Sequence, residues 1–242
     1  MSSTGKECGR GRSARLLLLA AAAVLAASPL RAGDGPFTLI LKGNLTTSSL
    51  IYVTPEAADP VEQGNTFDLT GTFGYGAELR YRFPESNLAL GISTDFIRSR
   101  GSSTLNGTLI PTQDGYTAVP VEMTGYFIIP LSGEYFGVYM GGGAGVYFGN
   151  RTYSIAGVEA ATVSNTPGFA IHVLGGISYR FWGSFRGTFE MKFRDLQFQS
   201  VDVFNTRVIR YRDTIVQVST QPFTSRVETD GIVLQVGIAF SF

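Results

Sequence analysis

Cysteine is nearly absent from this sequence, and the single copy, Cys8, stands ahead of the chain's first apolar stretch. That position excludes the acylated cysteine of a lipoprotein, which follows such a stretch. Beyond an N-terminal leader no cysteine remains, so disulfides and thiolate metal sites are excluded as well, while periplasm and outer membrane stay open to the chain. Histidine is just as scarce. His172 alone cannot build an imidazole metal site, and no group of Asp and Glu has calcium-loop spacing, so no cofactor is expected. Charged residues make up only 16% of the chain while glycine reaches 30 copies, a pairing unusual in a soluble domain. Long apolar runs are missing too. The longest stretch, Leu16 to Ala27, has twelve residues, short of the roughly 20 that a membrane-spanning helix needs. Low charge without such a run points to membrane insertion by strands.

What is present begins with a leader. Lys6, Arg10, Arg12 and Arg15 precede the apolar stretch, and Ser28-Pro29-Leu30-Arg31-Ala32 follows it and ends on a small residue. This is the layout of a secretory signal peptide, so residues 1–32 are expected to be cleaved and residues 33–242 to form one domain. Removing the leader leaves 14 basic against 18 acidic side chains, a balance that gives no reason to expect nucleic acid as a partner.

From Phe37 onward apolar residues alternate with polar or small ones over segments of about 11 to 15 residues, the period of a strand. In the last segment Ile232, Leu234, Val236, Ile238, Phe240 and Phe242 share one parity, and Gly231, Val233, Gln235, Gly237, Ala239 and Ser241 the other. In the segment before it Phe185, Phe189, Met191 and Phe193 alternate with Arg186, Glu190, Lys192 and Arg194. In a membrane barrel the apolar parity faces lipid and the charged parity the lumen. A slip of one residue would put four charges into lipid at up to ~2–4 kcal/mol each, so the register is firmly set. Further segments at 37–51, 69–83, 88–98, 119–130, 135–148 and 168–181 bring the strands to eight.

The connections alternate in length. Pro84-Glu85-Ser86-Asn87, Leu131-Ser132-Gly133-Glu134 and Trp182-Gly183-Ser184 are short, whereas 52–68, 99–118, 149–167 and 200–228 are long. The expected fold is therefore all-β, an eight-stranded antiparallel transmembrane β-barrel with short periplasmic turns and long extracellular loops. Tyr81, Phe83, Phe127, Phe136, Phe181, Phe185, Phe240 and Phe242 fall near the short-turn ends, where barrels carry an aromatic girdle.

With this pattern the chain resembles the small outer-membrane barrels of the OmpA/OmpX type over nearly all of residues 37–242. The most specific part is the ending Val236-Gly237-Ile238-Ala239-Phe240-Ser241-Phe242, which is similar to the terminal β-signal of such barrels; Val236, Ile238, Phe240 and Phe242 carry it. Val119-Pro120-Val121-Glu122 and the stretch from Tyr135 to Phe148 resemble their fourth and fifth strands. The resemblance implies integral residence in a bacterial outer membrane, contact with its lipids and lipopolysaccharide, and recognition by the barrel-assembly machinery.

An eight-stranded barrel is only wide enough for side chains to fill. By parity the lumen should hold Lys42, Glu78, Arg80, Arg82, Asp95, Glu122, Arg180, Glu190, Lys192 and Arg194, signs suited to mutual pairing. His172 shares the lumen parity of its segment. Some barrels of this resemblance are lipid A deacylases with a His/Ser pair, but a lipid-processing site would open to the membrane. The glycines Gly141-Gly142-Gly143-Ala144-Gly145 lack the Lys-Ser/Thr ending and helix of a phosphate loop and read instead as relief on a strongly curved strand. In the last loop Thr206 to Arg212 and Thr214 to Ser219 are β-prone around Asp213, so a paired ribbon is expected there. Its Arg207, Arg210 and Arg212 could meet anionic lipopolysaccharide or a partner surface, or serve only as a solvated edge.

Three functions follow as expectations. The first is a structural and surface-interaction role, in membrane integrity, adhesion or recognition through the loops. The second is a narrow porin-like channel for small solutes or ions, and the third, with least support, is a lipid A-modifying enzyme.

Overall fold

A computed structural model describes residues 35–105, 108–130 and 135–242; the leader 1–32 and the turn Leu131 to Glu134 lie outside the described residues. Alternation of apolar and polar residues leaves each segment one face for lipid and one for an interior, and a sheet with two such faces is stable when it closes. Eight long strands do close into a ring here: β1 (Phe37–Tyr52), β2 (Thr66–Arg82), β3 (Leu88–Thr104), β4 (Pro111–Ile128), β5 (Phe136–Ile155), β8 (Gly168–Trp182), β9 (Phe185–Val203) and β12 (Phe223–Ser241). Neighbours are antiparallel, and β12 pairs with both β9 and β1, from Thr38 opposite Ser241 to Tyr52 opposite Arg226. Closure leaves no edge with open hydrogen bonds, the condition for strands in hydrocarbon.

The strands are longer than their sequence segments. They run from 15 to 20 residues, although about 9–11 suffice to cross a bilayer. The surplus lies on the long-connection side, where pairing continues past the apolar belt. The expected loop 99–118 shrinks to 105–110, and 149–167 contains β6 (Val158–Glu159) and β7 (Ala161–Thr166), each paired to a barrel strand. The loop after β1 carries one helical turn, α1 (Pro60–Gln63). In the last connection β10 (Val208–Tyr211) and β11 (Thr214–Gln217) form the expected ribbon, turning through Arg212 at φ 52°. These extramembrane halves alternate less cleanly because their outer face meets water, so lipid-facing periodicity underestimates them.

Register and exposure agree on which face is which. Ile171, Val236, Ile238 and Phe73 are each more than half exposed, whereas Gln235, Ala239, Glu190 and Lys192 on the alternate parity are buried. An apolar band of this size on a soluble domain would drive aggregation; lipid is the environment it fits. Among the described residues no helix is long and apolar enough to cross a membrane, and the crossing is made by strands. At the short-turn rim the girdle is continuous: Phe83 meets Tyr81 at 5.2 Å, Tyr81 meets Phe37 at 5.0 Å, and Phe37, Phe242, Phe240 and Phe185 follow at 5.0–6.0 Å.

One feature has no counterpart in the sequence reading. On β1 the buried parity runs Ile40, Lys42, Asn44, Thr46 and then switches to Ser49 and Ile51; β2 switches with it, from Thr72 to Leu69. The register with β12 slips between Thr46 and Leu50, and Gly71 beside the slip has φ 68°, open to glycine without strain. The bulge brings apolar Ile51 and Leu69 inside above the polar residues below them.

Candidate functional site

Strand parity sends every second side chain of the eight strands into one narrow lumen, and their order along the barrel axis follows from the register. Nearest the short turns, Arg80 bonds Glu78 at 2.9 Å and Glu190 at 2.9 Å, and Lys42 reaches Glu78 at 3.3 Å. Tyr126 and Tyr139 donate their hydroxyls to Glu78 and Glu190 at 2.7 and 2.8 Å, while their rings lie 3.7 and 4.9 Å from the Arg80 guanidinium. Above this, Glu122 accepts from Lys192 and Tyr147, and Ser93 approaches it at 3.5 Å. Arg194 bonds Thr46 at 3.3 Å and lies 5.7 Å from the Tyr147 ring. Asp95 is buried in the same layer beside Asn44 and Gln235, whose side-chain polar atoms have no protein hydrogen-bond partner among the described residues.

An apolar layer follows. Ile51, Leu69, Ile97, Tyr116, Ala118, Ala170, Leu196, Phe198 and Val227 pack together across the lumen, with the Tyr116 ring 6.0 Å from Phe198 and its hydroxyl 2.8 Å from Ser49. Higher still, Arg151 is paired with Asp114, and Asp202 accepts from Ser200 at 3.0 Å. The outermost layer is a second apolar core of Ile110, Ile155, Ala160, Phe204 and Ile209, against which Tyr153, Tyr211, Val216 and Phe223 pack. It ties the β10–β11 ribbon to the ends of β5 and β12 and to Ile110 and Phe204, which flank β4 and β9.

Of the ten lumen residues read from the sequence, Lys42, Glu78, Asp95, Glu122, Glu190, Lys192 and Arg194 are buried in the lumen, and Arg80 and Arg180 are half-buried. Arg82 shares their parity but is exposed, at the periplasmic mouth of the lumen. Asp114, Arg151 and Asp202 were missed because their segments were read as loop. Tyr126, Tyr139 and Tyr147 lie in segments read as strands and share parity with Glu122 on β4 and with the glycines on β5, whereas Tyr116 fell in the expected loop 99–118.

The glycine run has a steric reason. A Cβ on inward Gly143 would lie 1.9 Å from the Met123 carbonyl oxygen, and one on Gly145 would lie 2.8 Å from both Glu122 and the Val121 carbonyl. The β4–β5 contact leaves no room for side chains there. His172, 3% exposed, faces this notch with Nε2 2.8 Å from the Thr124 hydroxyl. It opens to the lumen, away from the lipid face. Arg207, Arg210 and Arg212 are exposed on or beside the ribbon, whose opposite face sends Ile209 into the outer core. Val236 and Ile238 are exposed on the lipid face, and Phe240 and Phe242 close the girdle. Among the described residues no group of His, Cys, Asp and Glu could hold a metal ion.

The profile of the outer membrane protein beta-barrel domain family matches residues 17–240. No curated protein matches the chain. Among solved structures, Ail, the attachment invasion locus protein of Yersinia pestis, is 14% identical with a TM-score of 0.42, covering 86% of this chain and 99% of its own. The outer membrane protease OmpT of Escherichia coli is 9% identical with a TM-score of 0.38, covering 86% and 94%. The translocator domain of the autotransporter NalP of Neisseria meningitidis is 11% identical with a TM-score of 0.37, covering 95% and 96%.

Proposed function

Because this chain belongs to the outer membrane protein β-barrel domain family and resides as an integral protein in the outer membrane, we propose that it is a non-enzymatic surface-interaction protein with a closed lumen. The observation that carries this reading is the outer apolar core, which holds the β10–β11 ribbon as a built platform with Arg210 on its outward face and Arg207 and Arg212 exposed at the two ends of β10. On that exposed face Val208 and Ile215 flank Arg210, a cationic and apolar mixture that suits the phosphates and acyl chains of lipopolysaccharide. The apolar layer below the platform supports a lumen closed between its two ends. His172, bonded to Thr124 on the lumen side and turned away from lipid, supports a reading without lipid chemistry. During biogenesis the terminal strand with Val236, Ile238, Phe240 and Phe242 is the segment the assembly machinery reads, and residues 1–32 are the leader removed on export.

The test is binding of refolded protein to purified lipopolysaccharide at low and physiological salt. The triple variant R207Q/R210Q/R212Q should keep its heat-modifiable gel migration but bind at least tenfold more weakly, with most of the salt dependence gone. Equal binding by the variant would refute the ribbon as the contact surface.

A further inference from the structure

The middle of the lumen buries polar side chains that the charge network does not use. Asn44, Asp95 and Gln235 are 4%, 3% and 2% exposed, and none of their side-chain nitrogens and oxygens has a hydrogen-bond partner among the described residues. The register gathers them on one side of the barrel. Asn44 on β1 stands directly opposite Gln235 on β12 and, on its other side, opposite Gly74 on β2; Asp95 on β3 stands opposite Gly76. A Cβ on Gly74 would overlap the Asn44 amide oxygen, and one on Gly76 would overlap the Asp95 carboxylate. Both polar heads therefore bend into a recess that the two glycines leave in the inner face of β2. From Gln235 the row continues to Glu190 on β9, whose Oε2 is also unpartnered. Arg194, bonded to Thr46 through Nη2, leaves Nε and Nη1 unpartnered as well.

We propose that this recess is a binding site for a small cluster of water molecules, held in the lumen beneath the apolar layer. Buried amides and carboxylates without partners forfeit the hydrogen bonds they make in the unfolded chain, so a folded protein keeps few such groups and satisfies the rest. The ligand must both donate and accept here: Asp95 and Glu190 offer acceptor oxygens, Arg194 offers donors, and Asn44 and Gln235 offer both. Water meets that demand, whereas a cation serves the oxygens alone and an anion the donors alone. Charge decides the same way. Lys42, Arg80, Lys192 and Arg194 balance Glu78, Asp95, Glu122 and Glu190 in this stretch, and an added ion would leave a net charge buried. Water enters from the short-turn end, where a cavity of about 480 Å³ is lined by Arg80 and Tyr139, the two side chains whose bonds to Glu190 separate it from the site. Among the described residues Asp95 has no cation in contact, and the cluster is what solvates its charge.

Water-to-amide NOE and ROE spectra of the refolded, 15N-labelled protein in deuterated detergent micelles test the site, with the Asn44 and Gln235 side-chain amides assigned by triple resonance and therefore without any substitution. We expect both amides to show cross-peaks to water with the sign of molecules bound for longer than the tumbling time, unchanged by sodium or magnesium. Q235L should keep the folded gel band and weaken the Asn44 cross-peak at least twofold. Cross-peaks from the two amides only to each other and to neighbouring side chains, with none to water, would overturn the site. Amide shifts that saturate with sodium or magnesium would assign an ion in place of water, and an undiminished Asn44 cross-peak in folded Q235L would overturn the shared cluster.

Discussion

At the scale of single residues the lumen is governed by the cost of burying charge. Glu122 and Lys192 are both almost fully buried and bonded to each other, with Tyr147 on the same carboxylate. Removing one partner strands the other, a change that costs about 3–5 kcal/mol for buried pairs, whereas replacing both with apolar side chains is often neutral. Glu122→Gln should therefore lower the urea midpoint of unfolding in lipid vesicles sharply. The double variant Glu122→Leu/Lys192→Met should recover most of the loss, giving a coupling energy of about 3 kcal/mol in a double-mutant cycle. A cycle with no coupling would show that the two charges do not act as a pair. Both residues were legible as lumen residues, since charge parity on β4 and on the first half of β9 put them inside, but their pairing with each other was not. The tyrosines that share the network were hidden by their chemistry: an aromatic residue in a barrel strand suits girdle and lumen equally, and only its parity separates the two.

At the scale of the strand, β5 shows what alternation can and cannot disclose. Its lumen parity reads Tyr139, Gly141, Gly143, Gly145, Tyr147, so large side chains flank a notch into which β4 leans. Substituting Val at Gly143 would drive its Cβ onto the Met123 carbonyl, so the folded gel band of G143V should be largely lost after refolding. Gly187, outward-facing and with nothing within 4 Å of a Cβ, should accept Val and keep the band. Equal refolding of both would show that the notch is not required for closure. Strand positions within the membrane could be read from sequence to within a few residues because lipid demands one apolar face. The upper halves could not, since water on one side and a cap on the other relax the pattern, and the bulge at Thr46–Leu50 depends on a backbone slip that alternation cannot announce.

At the scale of the whole molecule the two ends differ in kind. At the short-turn end a cavity opens beside Arg80, Arg82 and Tyr139, while toward the long connections the interior holds first the apolar layer around Tyr116 and Phe198 and then the outer core that carries the ribbon. Charge parity and the alternation of short and long connections were enough to establish the barrel from sequence alone. The packing of the interior was only half legible: the narrowness of eight strands implied side chains inside, but the apolar layer comes from residues such as Ile51 and Leu69 that point inward only after the bulge. The proposed function requires a lumen closed across this layer. Planar-bilayer recording of the refolded protein tests that most directly: it should give no reproducible unitary currents, and steady unitary currents abolished by changing Arg80 or Glu190 would contradict it.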